Sequence, residues 1–167
     1  MKLWPRREHF EFFRKYDNPF WGLTTDIDCT LAYETAKSSG ESFFLVYLHK
    51  TLQAINEIEA FRYRILNERV VCYDKINVSS TAGRKDGTFA FTAIDYDENF
   101  ETFKLAAQKE LKAVQNSSGL RLSENAQRLD TVHFTAIPWV KFSAISHPGN
   151  FNDNNSIPKI SFGQMTA

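Results

Sequence analysis

The sequence is poor in the groups that cross-link chains or hold metals. It has two cysteines in 167 residues, Cys29 and Cys72, and they form no C-x-x-C pair. That excludes a disulfide framework and a thioredoxin-like redox motif, and points to two reduced thiols. The four histidines, His9, His49, His133 and His147, show neither H-x-x-H nor H-E-x-x-H spacing, so no metal site is indicated. Charge of one sign is not in excess, since 20 Lys and Arg face 20 Asp and Glu, interspersed. Without a polybasic patch the chain offers nucleic acid no electrostatic footprint. No apolar run approaches membrane-spanning length. The opening MKLWPRREHF has no apolar signal core, so a cytoplasmic protein with no membrane partner is expected.

What the chain does have is aromatic bulk. Fifteen Phe, six Tyr and three Trp sit in a composition that is 43% hydrophobic, enough for one core in one domain. Arg6 to Tyr16 reads as a short helix closed by Asp17-Asn18-Pro19. Phe20 to Asp28 reads as a strand, and Thr30 as the N-cap of a short helix ending near Gly40. Ser42 to Ile58 is the best amphipathic helix, with Phe44, Tyr47, Leu48, Leu52 and Ile55 on one face. Phe61 to Asp74 reads as a hairpin turning at Leu66-Asn67-Glu68-Arg69. Residues 79–87 read as a polar loop and Thr88 to Tyr96 as a strand. Asp97 is the expected cap of a helix carrying Phe100, Phe103, Ala107, Leu111 and Val114 on one stripe. Arg121 to Asp130 is irregular or one more helical turn. A strand over 131–145, a loop and a last strand IPKISFGQM complete the order. Helices and strands mix without strict βαβ alternation, which argues an α+β fold.

The segment HFTAIPWVKFSAI, from His133 to Ile145, alternates like a strand, yet it places His133 and Thr135 on one face. An i, i+2 polar pair often only completes hydrogen bonding in a core. On spacing alone the structural reading of the pair is the stronger one. The same holds for the aromatics Trp21 and Phe89, and for Arg14, which has Glu11 one helical turn away. His9, His49 and His147 carry no functional signal of their own.

Five stretches in one order, RREHFEFFRKY, the FRYRI segment with its hairpin, TFAFTAIDYDENF, HFTAIPWVKF and IPKISFGQM, resemble the chloramphenicol acetyltransferase family. The resemblance runs from about Trp4 to the end of the chain. It implies a two-layer α+β sandwich, a mixed, largely antiparallel sheet with helices on one face, assembled as a homotrimer with sites between subunits. It implies O-acetylation of a small hydroxylated xenobiotic such as chloramphenicol by acetyl-CoA as co-substrate, with no metal. In the family a histidine from a C-terminal His-His-x-x-x-Asp-Gly motif is the general base. Matched position by position, Thr135 stands where a hydroxyl, commonly Ser, stabilises the tetrahedral intermediate. Arg14 matches an arginine that orients the aspartate of that motif. Trp21, Phe89 and His133 match positions lining the acceptor pocket, Trp139 a residue on the CoA side, and Ser161 a hydroxyl of the channel.

Neither His-His-x-x-x-Asp-Gly nor a bare His-x-x-x-Asp occurs in these 167 residues. The resemblance therefore implies a single acetyltransferase-like domain, 1–167, truncated at its C-terminus. The natural chain is expected to continue with a strand, the histidine motif and a closing helix, and 1–167 alone is expected to be inactive. The alternative is a truncated or degenerate non-catalytic homologue that serves as a ligand- or partner-binding scaffold. His133 is a second candidate base, since imidazole titrates near neutrality.

Overall fold

The computed structural model describes residues 4–122, 128–148 and 156–166. Helices α1 (Arg7–Phe13), α2 (Thr30–Ser38) and α3 (Phe43–Glu57) come first, and a short 3₁₀ turn, Glu59–Arg62, leads into the strands. Strands β1 (Tyr63–Leu66) and β2 (Arg69–Cys72) form a separate antiparallel hairpin. Strands β3 (Asn77–Gly83) and β4 (Phe89–Phe91), helix α4 (Phe100–Gln115), and strands β5 (Thr131–Ala136) and β6 (Lys159–Phe162) follow. The main sheet has the order β4-β3-β5-β6. It is mixed: β3–β4 is antiparallel, while β3–β5 and β5–β6 are parallel.

The two long helices form for the reasons their periodicity gives. In α3 the buried stripe is Leu45, Leu48, His49, Leu52 and Ile55, the 3.6-residue repeat of one helix face. In α4 it is Phe103, Ala107 and Val114, flanked by the half-buried Phe100 and Leu111. Both helices pack on one face of the sheet, where Val78, Val132 and Phe134 complete a single core with Ile76, Ile94 and Tyr96. Asn56 ties α3 to the sheet. Its Nδ2 donates to the Ile76 carbonyl at 2.9 Å, and its Oδ1 accepts from the Ile76 N–H at 2.7 Å.

Because strand side chains alternate, the sheet has two unlike faces. Even-numbered residues of β3, β5 and β6 (Val78, Ala82, Val132, Phe134, Ile160, Phe162) meet the helices. Odd-numbered residues take the other face. The register sets Ser79 beside His133, His133 beside Lys159, and Thr135 beside Ser161. Thr81 pairs with Phe91 and Gly83 with Phe89, so two phenyl rings close that face at β4.

Several expectations are corrected. Residues 20–28 form no strand. Their apolar side chains stand in water instead of pairing, with Trp21 86% exposed. Residues 79–83, expected in a loop, belong to β3. Its buried backbone is satisfied by a neighbouring side chain: the Ser80 N–H donates to Thr92 Oγ1, which donates in turn to the Ser80 carbonyl. The strand expected over 131–145 stops at Ala136. Pro138 has no N–H for a ladder, and a turn from the Val140 N–H to the Ile137 carbonyl follows. Cys29, not Thr30, is the N-cap of α2, without a side-chain cap bond, and just before it the Asp28 carboxylate accepts from the Thr30 N–H at 3.0 Å. Asn99, not Asp97, is the N-cap of α4, with its Oδ1 accepting from the Thr102 N–H. The expected irregular segment at 121–130 and the loop before β6 fall partly outside the described residues. The hairpin turn is as expected: Asn67 and Glu68 both adopt positive φ, 47° and 60°, the geometry of a two-residue turn that follows strand twist.

Candidate functional site

The odd face of β5 and β6 gathers the polar side chains that have chemistry to offer. Thr135 occupies the penultimate position of β5, half-buried, with Ser161 as its register neighbour on β6. Parallel strands run about 4.8 Å apart, so the two hydroxyls are adjacent on one surface. Beyond Ala136 the chain does not leave the sheet. The Ile137 N–H donates to the Phe162 carbonyl and the Gln164 N–H to the Val140 carbonyl, both at 2.8 Å. The strap 137–142 is thus held along the end of β6. Gly163 permits this close approach, because a Cβ there would stand 2.9 Å from a Phe142 ring carbon and 3.1 Å from the Val140 carbonyl oxygen.

His133 lies two residues before Thr135 on the same face, half-buried between Ser79 and Lys159. Burial pushes its pKa below the usual imidazole value, and the positive charges of Lys159 and Arg64 act in the same direction. The ring is therefore neutral at pH 7. Arg64 underlies the start of β5. It is 1% exposed and donates to the carbonyls of Leu129, Phe61, Tyr63 and Thr131 at 2.6–2.8 Å.

The structure brings Thr135, His133 and Ser161 onto one surface, and Phe89 onto the β4 end of the same face. It does not bring Arg14 there. Arg14 stands at the end of α1 against the β1–β2 turn, facing Glu11 at 3.8 Å and Glu68 at 3.7 Å, with its guanidinium over the Phe10 ring. These are the local partners that a helix arginine takes by default. Trp21 and Trp139 project into solvent at 86% and 75% exposure. Among the described residues, no hydrogen bond, ion pair or ring contact links either of them to the β5–β6 face.

Two residues without signal in the sequence also belong to this face. His147 Nε2 lies 3.0 Å from Ser161 Oγ, and Lys159 Nζ donates to the Pro148 carbonyl at 2.8 Å. Their partners are 14 and 11 residues away along the chain, a separation no local pattern encodes. Among the described residues no group of three or more His, Cys, Asp or Glu could hold a metal ion, and no helix is long and apolar enough to cross a membrane.

Comparison with known proteins bears on the family and the fold. The family model described as chloramphenicol acetyltransferase matches residues 1–166. An Escherichia coli protein named chloramphenicol acetyltransferase 3 is 24% identical over 155 residues, 92% of this chain and 72% of that protein. A Staphylococcus aureus chloramphenicol acetyltransferase is 26% identical over 168 residues, 99% of this chain and 77% of the relative. A solved structure titled chloramphenicol acetyltransferase superimposes with a TM-score of 0.91 at 32% identity, covering 99% of this chain and 80% of its own. With a family match over residues 1–166 and a structural match over 99% of its length, this chain belongs to the chloramphenicol acetyltransferase family.

Proposed function

We propose that the chain carries part of the site of an acetyl-CoA-dependent O-acetyltransferase that acts on a hydroxyl of a small xenobiotic, with chloramphenicol the first acceptor to test. The observation that supports this most directly is the Thr135–Ser161 register pair on the half-buried odd face of the sheet, with Thr135 three residues before Pro138, in a chain of this family. In this reading an acceptor hydroxyl attacks the thioester carbon and the CoA thiolate departs. The Thr135 hydroxyl donates to the oxyanion of the tetrahedral intermediate, a role worth roughly 3–4 kcal/mol for one well-placed donor. His133, Phe89 and Trp21 line the acceptor side, while Ser161 and Trp139 lie toward CoA. Arg14 would leave Glu11 and Glu68 for the aspartate of the histidine motif, an exchange open to a partly exposed ion pair of little strength. Assembly as a homotrimer in the cytoplasm belongs to the same reading. It would cover Trp21, Leu23 and Ile27, which now stand exposed.

The attacking hydroxyl must lose its proton, and residues 1–167 contain no His-x-x-x-Asp motif to take it. General-base assistance contributes typically 10²- to 10⁴-fold. We therefore expect 1–167 alone to show no chloramphenicol-dependent release of CoA thiol above background. A chain carried past Ala167 through such a motif should turn over. In that longer chain Thr135→Val lowers kcat roughly 10²- to 10³-fold, while Thr135→Ser retains it. Family-like turnover by 1–167 would overturn this assignment and move the base to His133. Sedimentation equilibrium giving a clean monomer for the longer chain would remove the trimer.

The second reading is a non-catalytic scaffold. Calorimetric binding of chloramphenicol by a motif-bearing chain that transfers no acetyl group would decide for it.

A further inference from the structure

The face described above holds a hydroxyl and an imidazole already in contact, and the acetyl-transfer scheme does not use that contact. His147 Nε2 is 3.0 Å from Ser161 Oγ. Among the described residues His147 is the only histidine whose ring reaches a side-chain hydroxyl; the His49 ring is bonded to the Asp97 carbonyl. The contact is braced on the chain next to it. Lys159 Nζ donates to the carbonyl of Pro148, the residue after His147, which ties the His147 segment to β6 two positions before Ser161. Lys159 and Ser161 are i, i+2 on one strand, so the ammonium and the hydroxyl share a face, and Thr135 is the neighbour of Ser161 across the ladder. Nucleophile, base, one cation and one further hydroxyl thus converge on one half-buried surface.

We propose that Ser161, His147 and Lys159 form a second reactive site in this chain, with Ser161 as nucleophile and His147 as its base, hydrolysing small activated acyl esters and thioesters. It requires neither CoA nor a hydroxyl acceptor. Ser161 Oγ attacks the acyl carbon while its proton passes to His147 Nε2. The carbonyl π pair moves to oxygen, where the Thr135 hydroxyl and the Lys159 ammonium face the developing charge. Collapse of the intermediate expels the phenolate or thiolate with its bonding pair, the proton held on His147 passes to that leaving group or to solvent, and acyl-Ser161 remains beside a neutral imidazole. Water then attacks the acyl-enzyme, one of its protons going to His147. The carboxylic acid leaves, and Ser161 recovers its proton. The sum is ester plus water giving acid plus alcohol or thiol, with no oxidant or co-reactant. Burial first, and then the Lys159 charge, hold His147 below the usual imidazole pKa, so the ring is a free base at neutral pH.

The probe is p-nitrophenyl acetate with the 1–167 chain, without CoA or chloramphenicol. A p-nitrophenolate burst and one acetyl group mapped to Ser161 by peptide mass spectrometry are expected in the unaltered chain, a result that depends on no variant. Ser161→Ala should abolish the burst, and His147→Gln should slow it roughly 10²- to 10⁴-fold. His9→Gln, on the exposed surface of α1, should leave it unchanged. Acetyl groups found on lysines or on His147 with Ser161 unmodified would overturn the proposal, as would a burst that survives Ser161→Ala in a chain whose circular dichroism is unaltered. Loss of chloramphenicol acetylation in any longer chain bears on the function proposed above and leaves this result untouched.

Discussion

Replacing Arg64 tests how the hairpin and the site strand are held together. The guanidinium is enclosed among carbonyl oxygens: Leu129 and Thr131 at the entry to β5, Phe61 and Tyr63 at the entry to β1. Burial pushes its pKa down to about 10, with the nearby Asp130 opposing, so it remains charged at neutral pH. Hydrogen bonds to a charged group contribute about 1.5–3 kcal/mol each. Four of them are opposed by a desolvation penalty of several kcal/mol. Arg64→Ala returns that penalty but leaves the four carbonyls facing a cavity, and each buried oxygen without a donor costs about 1–3 kcal/mol. Partial entry of water relieves some of this, which leaves a net loss of about 3–5 kcal/mol. Arg64→Met refills the space without donors and should recover at most about 1–2 kcal/mol of the loss. Urea unfolding followed by circular dichroism measures this. With a slope of about 2 kcal/mol/M, a 4 kcal/mol loss moves the midpoint by about 2 M at unchanged slope. An Arg64→Met chain as stable as the parent would refute the reasoning, because it would show that the carbonyls need no donor.

Burial holds His133 and His147 below the usual imidazole pKa of about 6.5, so the unfolded chain takes up protons first as pH falls. Stability is complete above about pH 6.5 and declines between there and the lower folded pKa; in urea titrations His133→Gln should flatten that decline. Glu68 adopts φ 60° in the β1–β2 turn, so Glu68→Gly should raise stability by about 0.5–1 kcal/mol, read as a higher urea midpoint. Asn99→Ala removes the side-chain cap on the Thr102 N–H of α4 and should lower stability by about 1 kcal/mol, with faster hydrogen exchange confined to the first turn of α4.

The elements most legible in the sequence were those whose burial follows a local period. Both α3 and α4 could be read because each turns one apolar stripe to the sheet, and the hairpin because only four residues form its turn. Strand β3 was hidden because Ser79, Ser80 and Thr81 carry the composition of a loop. Only the partners that satisfy them, Thr92 on the next segment and β5 some fifty residues on, make them a strand. Trp21 to Ile27 alternates without burying anything, so pattern alone gave a strand where no ladder exists. At the candidate site, Thr135 and Ser161 were named through the family resemblance, and the ladder places them side by side. His147 could not be found that way. Its contact with Ser161 arises from a loop returning along β6, and loop returns leave no periodic trace.

The alternation of the central strands bears on how such a protein can change over generations. Phe134, Val132 and Phe162 face the helices and carry much of the stability. His133, Thr135, Lys159 and Ser161 sit between them in sequence and face the other way. A single nucleotide change at one of these codons alters what the open face can hold or react with, yet it removes no atom from the core. Substitutions away from buried features commonly shift stability by no more than about 0.5 kcal/mol. On the proposed assignment, chemistry and stability are thus inherited on interleaved codons and can vary almost independently, so a lineage carrying this sheet can acquire a new ligand without first acquiring surplus stability.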